Sequence, residues 1–230
     1  MPTTDLQTNR PAPRAAKPYK GIAMEGPIAR WYTNIRGQDP ELEMVVRQVS
    51  ELLPAGSRVL EVAPGPGSLA IELAKLGKYH VVGLDISKSF VQIAQAKARE
   101  AGVAVEFRHG NASNMPFDAD MFDFIICRAA FKNFTEPVQA IREMHRVLRP
   151  GGTALIIDLR RDASREEIDT YVGKLGLSRI NTLLTKWTFK HTLLKNAYTK
   201  AEIQRFVSQT DFARCEIRED TIGMEIWLEK

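Results

Sequence analysis

Cysteine is scarce in this 230-residue chain: Cys127 and Cys215 are the only two. They lie far apart and in no CxxC or similar spacing. That excludes a disulfide framework and leaves two reduced thiols packed in a core. Histidine is scarce too, with a count of four. No cluster of His, Cys, Asp and Glu has metal-ligand spacing, so no metal is expected. Long apolar runs are missing; the longest are strand-sized, and none would span a bilayer. The stretch from Met1 to Lys20 lacks an apolar h-region, which excludes a secretory signal. A basic stripe is missing from the remainder of the chain. Of the net +4, the stretch from Met1 to Lys20 holds +3, from Arg10, Arg14, Lys17 and Lys20 against Asp5. The charge therefore reads as a basic tail, and neither nucleic acid nor membrane is expected as a partner. A cytoplasmic protein is expected, and a homodimer is left open.

What is present suits an ordinary globular chain, with 44% hydrophobic and 26% charged residues. Asp39 and Pro40 signal the cap and first residue of a helix carrying Leu42, Val45, Val46, Val49, Leu52 and Leu53. From residue 58 the rhythm alternates. "RVLEVA", "YHVVGLD", "VAVEFRHG", "FDFIIC" and "GGTALIIDLR" read as strands. Between them lie a helix ending at Gly77, a helix capped by Ser87, and a helix capped by Thr135. Such alternation predicts an α/β fold with a doubly wound, mostly parallel sheet. After Arg160 two capping boxes, Ser164 to Glu167 and Thr199 to Glu202, open further helices. Two final strands, "RCEIRED" and "GMEIWLEK", follow. The expected organisation is a flexible basic tail (1–20), an N-terminal helical cap (21–56) and one domain (57–230) with a lid insertion at about 162–198.

The loop after the first strand reads "EVAPGPGSLA", residues 61 to 70. Its second half matches the dinucleotide fingerprint G-x-G-x-x-G/A. A pyrophosphate loop works by aiming backbone N–H groups at anionic oxygens. Pro64 and Pro66 carry no N–H, and a carboxylate at Glu61 would repel a phosphate. The same features suit S-adenosylmethionine, which has a sulfonium, an ammonium and no phosphate. Gly65 and Gly67 then let the backbone approach the ligand closely. Asp85, at the tip of the second strand, is placed to accept hydrogen bonds from a ribose. That contact identifies an adenosine without choosing between the two cofactors.

From these residues the chain resembles the class I S-adenosylmethionine-dependent methyltransferases, which implies a Rossmann-like sheet of seven strands with the last strand antiparallel. "VLEVAPGPG" resembles the family's first motif, with Glu61 at its acid, Ala63 in place of its first glycine, and Gly65 and Gly67 at the next two. "VVGLDIS" resembles the second, with Asp85 for the ribose and Ile86 against the adenine. "GNASNMPFDADMFDFIIC" resembles the third and fourth, with Asn111 and Ala112 where an acid and a small residue read adenine. "EMHRVLRPGG" resembles the turn before strand five. Arg128, at the end of strand four, joins the cofactor residues that the resemblance implies.

The acceptor is less defined. No Asn/Asp-Pro-Pro-Tyr string follows strand four, which argues against amino methylation by that route. "RAAFKNFTEP" resembles the matching run of the ubiquinone/menaquinone C-methyltransferases, although that branch's end signatures are not evident. A small-molecule acceptor, planar or apolar, is therefore expected. The candidate contacts are Trp31, Tyr32, Phe131, Lys132, Arg160, Trp187 and Tyr198. Tyr19 and Met24 are further candidates for the roof of the pocket, and His191 is the candidate base. Two other readings remain: a nicotinamide oxidoreductase, and a non-catalytic module that only binds S-adenosylmethionine.

Overall fold

In the computed structural model, residues 19–20, 24–35, 41–174 and 193–230 are described. The strands are β1 (Arg58–Val62), β2 (His80–Asp85), β3 (Glu106–His109), β4 (Phe122–Arg128), β5 (Leu148–Leu159), β6 (Arg214–Glu219) and β7 (Gly223–Glu229). They form one sheet in the order β3-β2-β1-β4-β5-β7-β6. β1 to β5 pair in parallel. The last strand, β7, is antiparallel to both of its neighbours and slots between β5 and the edge strand β6.

The helices are α1 (Gly26–Ile35), α2 (Leu42–Leu52), α3 (Ser68–Lys75), α4 (Lys88–Glu100), α5 (Pro137–Val147), α6 (Arg165–Lys174) and α7 (Lys200–Val207). Strand periodicity splits the core in two. On β4, Phe124 and Ile126 face one apolar layer with residues of α2, α3 and α4. Ile125 and Cys127 face the other, with residues of α5 and α7. None of the described helices is long and apolar enough to cross a membrane.

Several helix starts follow the sequence and one does not. The Ser87 side chain accepts from Phe90 N, as a cap should. Both capping boxes form, at Ser164/Glu167 and Thr199/Glu202. Thr135, however, does not cap α5. Glu136 holds that place without a side-chain bond, and Pro137 follows it in the first turn, where its missing N–H costs nothing. Asp39 and Pro40 lie outside the described residues, and α2 starts at Leu42 after Glu41. The cysteines also differ from expectation: Cys127 is buried in the sheet, but Cys215 is exposed on edge strand β6.

The chain before α2 is stitched to the carboxyl ends of the strands. Tyr19 pairs with Phe134 in an isolated bridge, and Lys20 N donates to Asn133 O at 2.7 Å. Lys20 Nζ donates to the Tyr198 hydroxyl at 2.6 Å. Glu25 accepts from the N–H groups of Lys88 and Ser89 at the start of α4, and Ser87 Oγ donates to Met24 O. One carboxylate thereby serves two of the N–H groups that a helix start leaves unpaired.

Candidate active site

Where β1 and β4 meet, the chain runs to opposite sides of the sheet, and a crevice opens beyond the strand ends. It widens into a cavity of about 400 Å³, within the range of small-molecule sites. Its floor is the β1–α3 turn. Three left-handed residues shape that turn: Ala63 (φ 59°), Gly65 (φ 55°) and Gly67 (φ 81°). Gly65 lines the cavity, and a Cβ there would meet nothing within 4 Å. Gly67 does not line it. A Cβ at Gly67 would come within 2.8 Å of both Ala94 Cβ and Phe107 Cζ, so this glycine serves packing between α3, α4 and β3.

The donors of the turn are already engaged. Ala63 N donates to Leu84 O at 2.8 Å, Gly65 N to Asp85 Oδ2 at 2.9 Å, and Gly67 N to Pro64 O at 3.0 Å. Pro64 and Pro66 have none. No N–H of residues 63 to 67 is left to cradle a pyrophosphate. Further back, Glu61 lines the cavity while its Oε2 accepts from Ala70 N at 2.8 Å. It caps α3 from a distance, since Gly67 at the N-cap has no side chain.

Asp85 stands at the tip of β2, 5% exposed. Its Oδ1 accepts from Ser87 N at 2.8 Å and its Oδ2 from Gly65 N. Burial pushes its carboxyl up to about 6, against the lowering effect of those two backbone donors. Ile86, Asn111 and Ala112 line the same side. Asn111 Oδ1 accepts from Ser113 N at 3.0 Å, which fixes the amide in a tight turn.

The same cavity is lined by Tyr19, Tyr32 and Phe134, and by Met24, Thr33 and Phe90. Tyr32 meets Phe90 edge-on, with ring centroids 5.9 Å apart. Burial, with Tyr32, Asp85 and Asp158 nearby, raises the Tyr19 hydroxyl to about 12, so it keeps its proton. Arg128 also lines the cavity, and its guanidinium reaches Glu41 at 3.5 Å.

The structure thus gathers Glu61, Ala63, Gly65, Asp85, Ile86, Asn111, Ala112, Arg128 and Tyr32 around one space. Five residues expected at the acceptor do not line it. Trp31 is 61% exposed on the outer side of α1. Phe131 is buried in the core. Lys132 is neither exposed nor ligand-facing: its Nζ pairs with Asp158 at 2.6 Å, both side chains buried. Arg160 is held by Asp162, Glu167 and the carbonyls of Asp220 and Thr221. Tyr198 packs edge-on against Phe206. Trp187 and His191 lie outside the described residues. Glu25 and Phe90 line the cavity although no motif marks them, and so does Phe134, from the run "RAAFKNFTEP". A signal for Glu25 is present in the sequence: it precedes Gly26-Pro27, and a proline in the first turn marks a helix start. Among the described residues no group of three metal-binding side chains occurs.

A family model described as "Methyltransferase domain" matches residues 60–156, the stretch that holds the turn, Asp85, Asn111 and Arg128. The demethylmenaquinone methyltransferase of Chlorobaculum parvum is 32% identical over 165 residues, 69% of this chain and 67% of that protein. The chain belongs to the S-adenosylmethionine-dependent methyltransferases. The homologous enzyme of Chlorobaculum tepidum is 34% identical over 142 residues, 61% of this chain and 57% of that protein. The chain spans about half to two thirds of the length of such relatives. In structure, a methyltransferase of Aquifex aeolicus superposes with a TM-score of 0.66 at 18% identity, covering 87% of this chain and 97% of that one. That likeness shows the fold alone. With the family in place, S-adenosylmethionine is the cofactor and the nicotinamide reading is set aside.

Proposed function

We propose that this methyltransferase acts on a planar, apolar small molecule of the quinol type. The observation that carries the reading is the mixed lining of the cavity. The Asp85 carboxylate and the β1–α3 turn share it with the rings of Tyr19, Tyr32 and Phe134. Two relatives of this chain are named demethylmenaquinone methyltransferases, which supports a ring of that kind.

When bound, S-adenosylmethionine supplies a methyl group already activated on sulfur. The chain's own residues would then bind, orient and exclude water. Asp85, once ionised, accepts from ribose hydroxyls. Ile86 and Ala112 close on the adenine, and Glu61 keeps a negative potential over the turn. Tyr19 stays protonated, so it is a hydrogen-bond donor to an acceptor oxygen and not a base. An electron-rich ring carbon needs little help from a base, which suits a cavity of this composition.

The test is formation of S-adenosylhomocysteine by the purified protein with a reduced naphthoquinone, set against simple phenols, amines and thiols. Turnover should favour the quinol. Asp85→Asn should weaken S-adenosylhomocysteine binding by about 1–3 kcal/mol. Binding of the cofactor product with no methylation of any of these would replace this reading with a non-catalytic module.

A further inference from the structure

Helix α1 has two unlike sides. Inward, Ala29 is fully buried, and Tyr32 and Thr33 line the cavity. Outward, Trp31 is 61% exposed and Ile28 42%, one turn apart, with Pro27 and Arg30 exposed beside them. A large aromatic and a branched aliphatic held together in solvent ask for a covering surface.

Charge says which surface. The sequence from Met1 to Arg36 contains six Lys and Arg against two Asp and Glu, a net +4 that equals the net charge of the whole chain. The remainder of the chain is neutral in sum. The sequence from Thr170 to Ala201 also holds six Lys and Arg and no acid. The docking face itself comprises α1 alone.

We propose, against the expectation from composition, that the outer face of α1 docks the protein on an anionic lipid surface. Tryptophan and isoleucine enter the boundary between headgroups and acyl chains, while Arg30 on the same face meets the lipid phosphates. A second copy of the chain fits less well, because a two-fold contact through this face would bring two copies of Arg30 into one interface. A nucleic acid would use the cations and leave Ile28 uncovered. The geometry gives docking a use. The same helix walls the cavity with Tyr32 and Thr33, so an apolar molecule dissolved in the bilayer would lie one helix away from it. No membrane-crossing segment is involved, and the proposal stands whether or not the acceptor is a quinol.

The experiment is co-sedimentation of the full chain with vesicles rich in phosphatidylglycerol and with vesicles of pure phosphatidylcholine, without cofactor or acceptor. Binding should be confined to the anionic vesicles and should weaken as salt rises. Ile28→Ser/Trp31→Ser should weaken it about tenfold or more, and Arg30→Glu should weaken it as well. Unchanged affinity for S-adenosylhomocysteine would show that these variants are folded. The proposal fails if anionic vesicles are not bound, if neutral vesicles bind equally, or if the double variant binds like the parent. It also fails if the double variant converts a dimer to a monomer, or if the chain binds a DNA duplex and no vesicle.

Discussion

Gly65 and Gly67 stand two positions apart and look alike in the sequence, yet they answer to different constraints. Gly67 combines a left-handed backbone with a site that a Cβ would fill at 2.8 Å. Gly67→Ala should therefore cost about 2–4 kcal/mol of stability in urea denaturation, from backbone strain and overpacking together. Gly65→Ala carries the strain alone, about 1–2 kcal/mol. Its methyl group would intrude on the cavity, so calorimetry should show the larger loss in S-adenosylhomocysteine affinity. The shortage of donors is legible in the sequence, because proline visibly lacks an N–H. That Gly67 faces Phe107 is not, since the contact joins residues 40 positions apart. Nor is it legible that Glu61 caps α3, since nothing local marks a helix that borrows its cap from the preceding strand.

At the scale of elements, strand and helix positions follow from period and caps, while side-chain destinations after β4 do not. Lys132 looks like a ligand-facing cation just past a strand. In the fold it reaches across to β5, where Asp158 accepts from both Lys132 Nζ and Lys132 N, and Nζ also donates to Ala129 O. This buried pair ties the loop after β4 to the end of β5. Lys132→Met should destabilise by about 3–5 kcal/mol in denaturant titration, because it strands the Asp158 carboxylate. Lys132→Met/Asp158→Asn should recover much of that loss, since it removes the stranded charge and keeps an amide oxygen for the Lys132 N–H. Phe131 and Tyr198 depart from expectation for the same reason as Lys132. Their rings pack on each other, with centroids 5.9 Å apart, across a sequence gap that no periodicity spans.

For the whole molecule, the buried Asp85 links stability to pH. Its carboxyl lies at about 6 in the folded protein, raised chiefly by burial, against 3.8 in the open chain. A raised carboxyl favours the folded state at low pH, where it is protonated in both states. That advantage is lost as pH rises through about 6, and it amounts to ~3 kcal/mol when complete. Asp85→Asn does not titrate there, so denaturation at several pH values should show the parent losing stability relative to the variant between about pH 4 and 6. Cofactor affinity should run the other way, rising over the same interval as the ribose acceptor ionises. The doubly wound sheet is legible in the sequence, because alternation of period is a property of long stretches, whereas its reversed last strand is implied only by the family resemblance. The strand order also bears on how the protein is made. Every described residue that walls the cavity lies at or before Phe134, so this described wall is encoded before β5 has left the ribosome. A nascent half-sheet β3-β2-β1-β4 can assemble on its own contacts, but one flank of β4 waits bare for a partner still being synthesised. The riskiest interval in the life of this enzyme is the time taken to translate α5 and the strand that follows it.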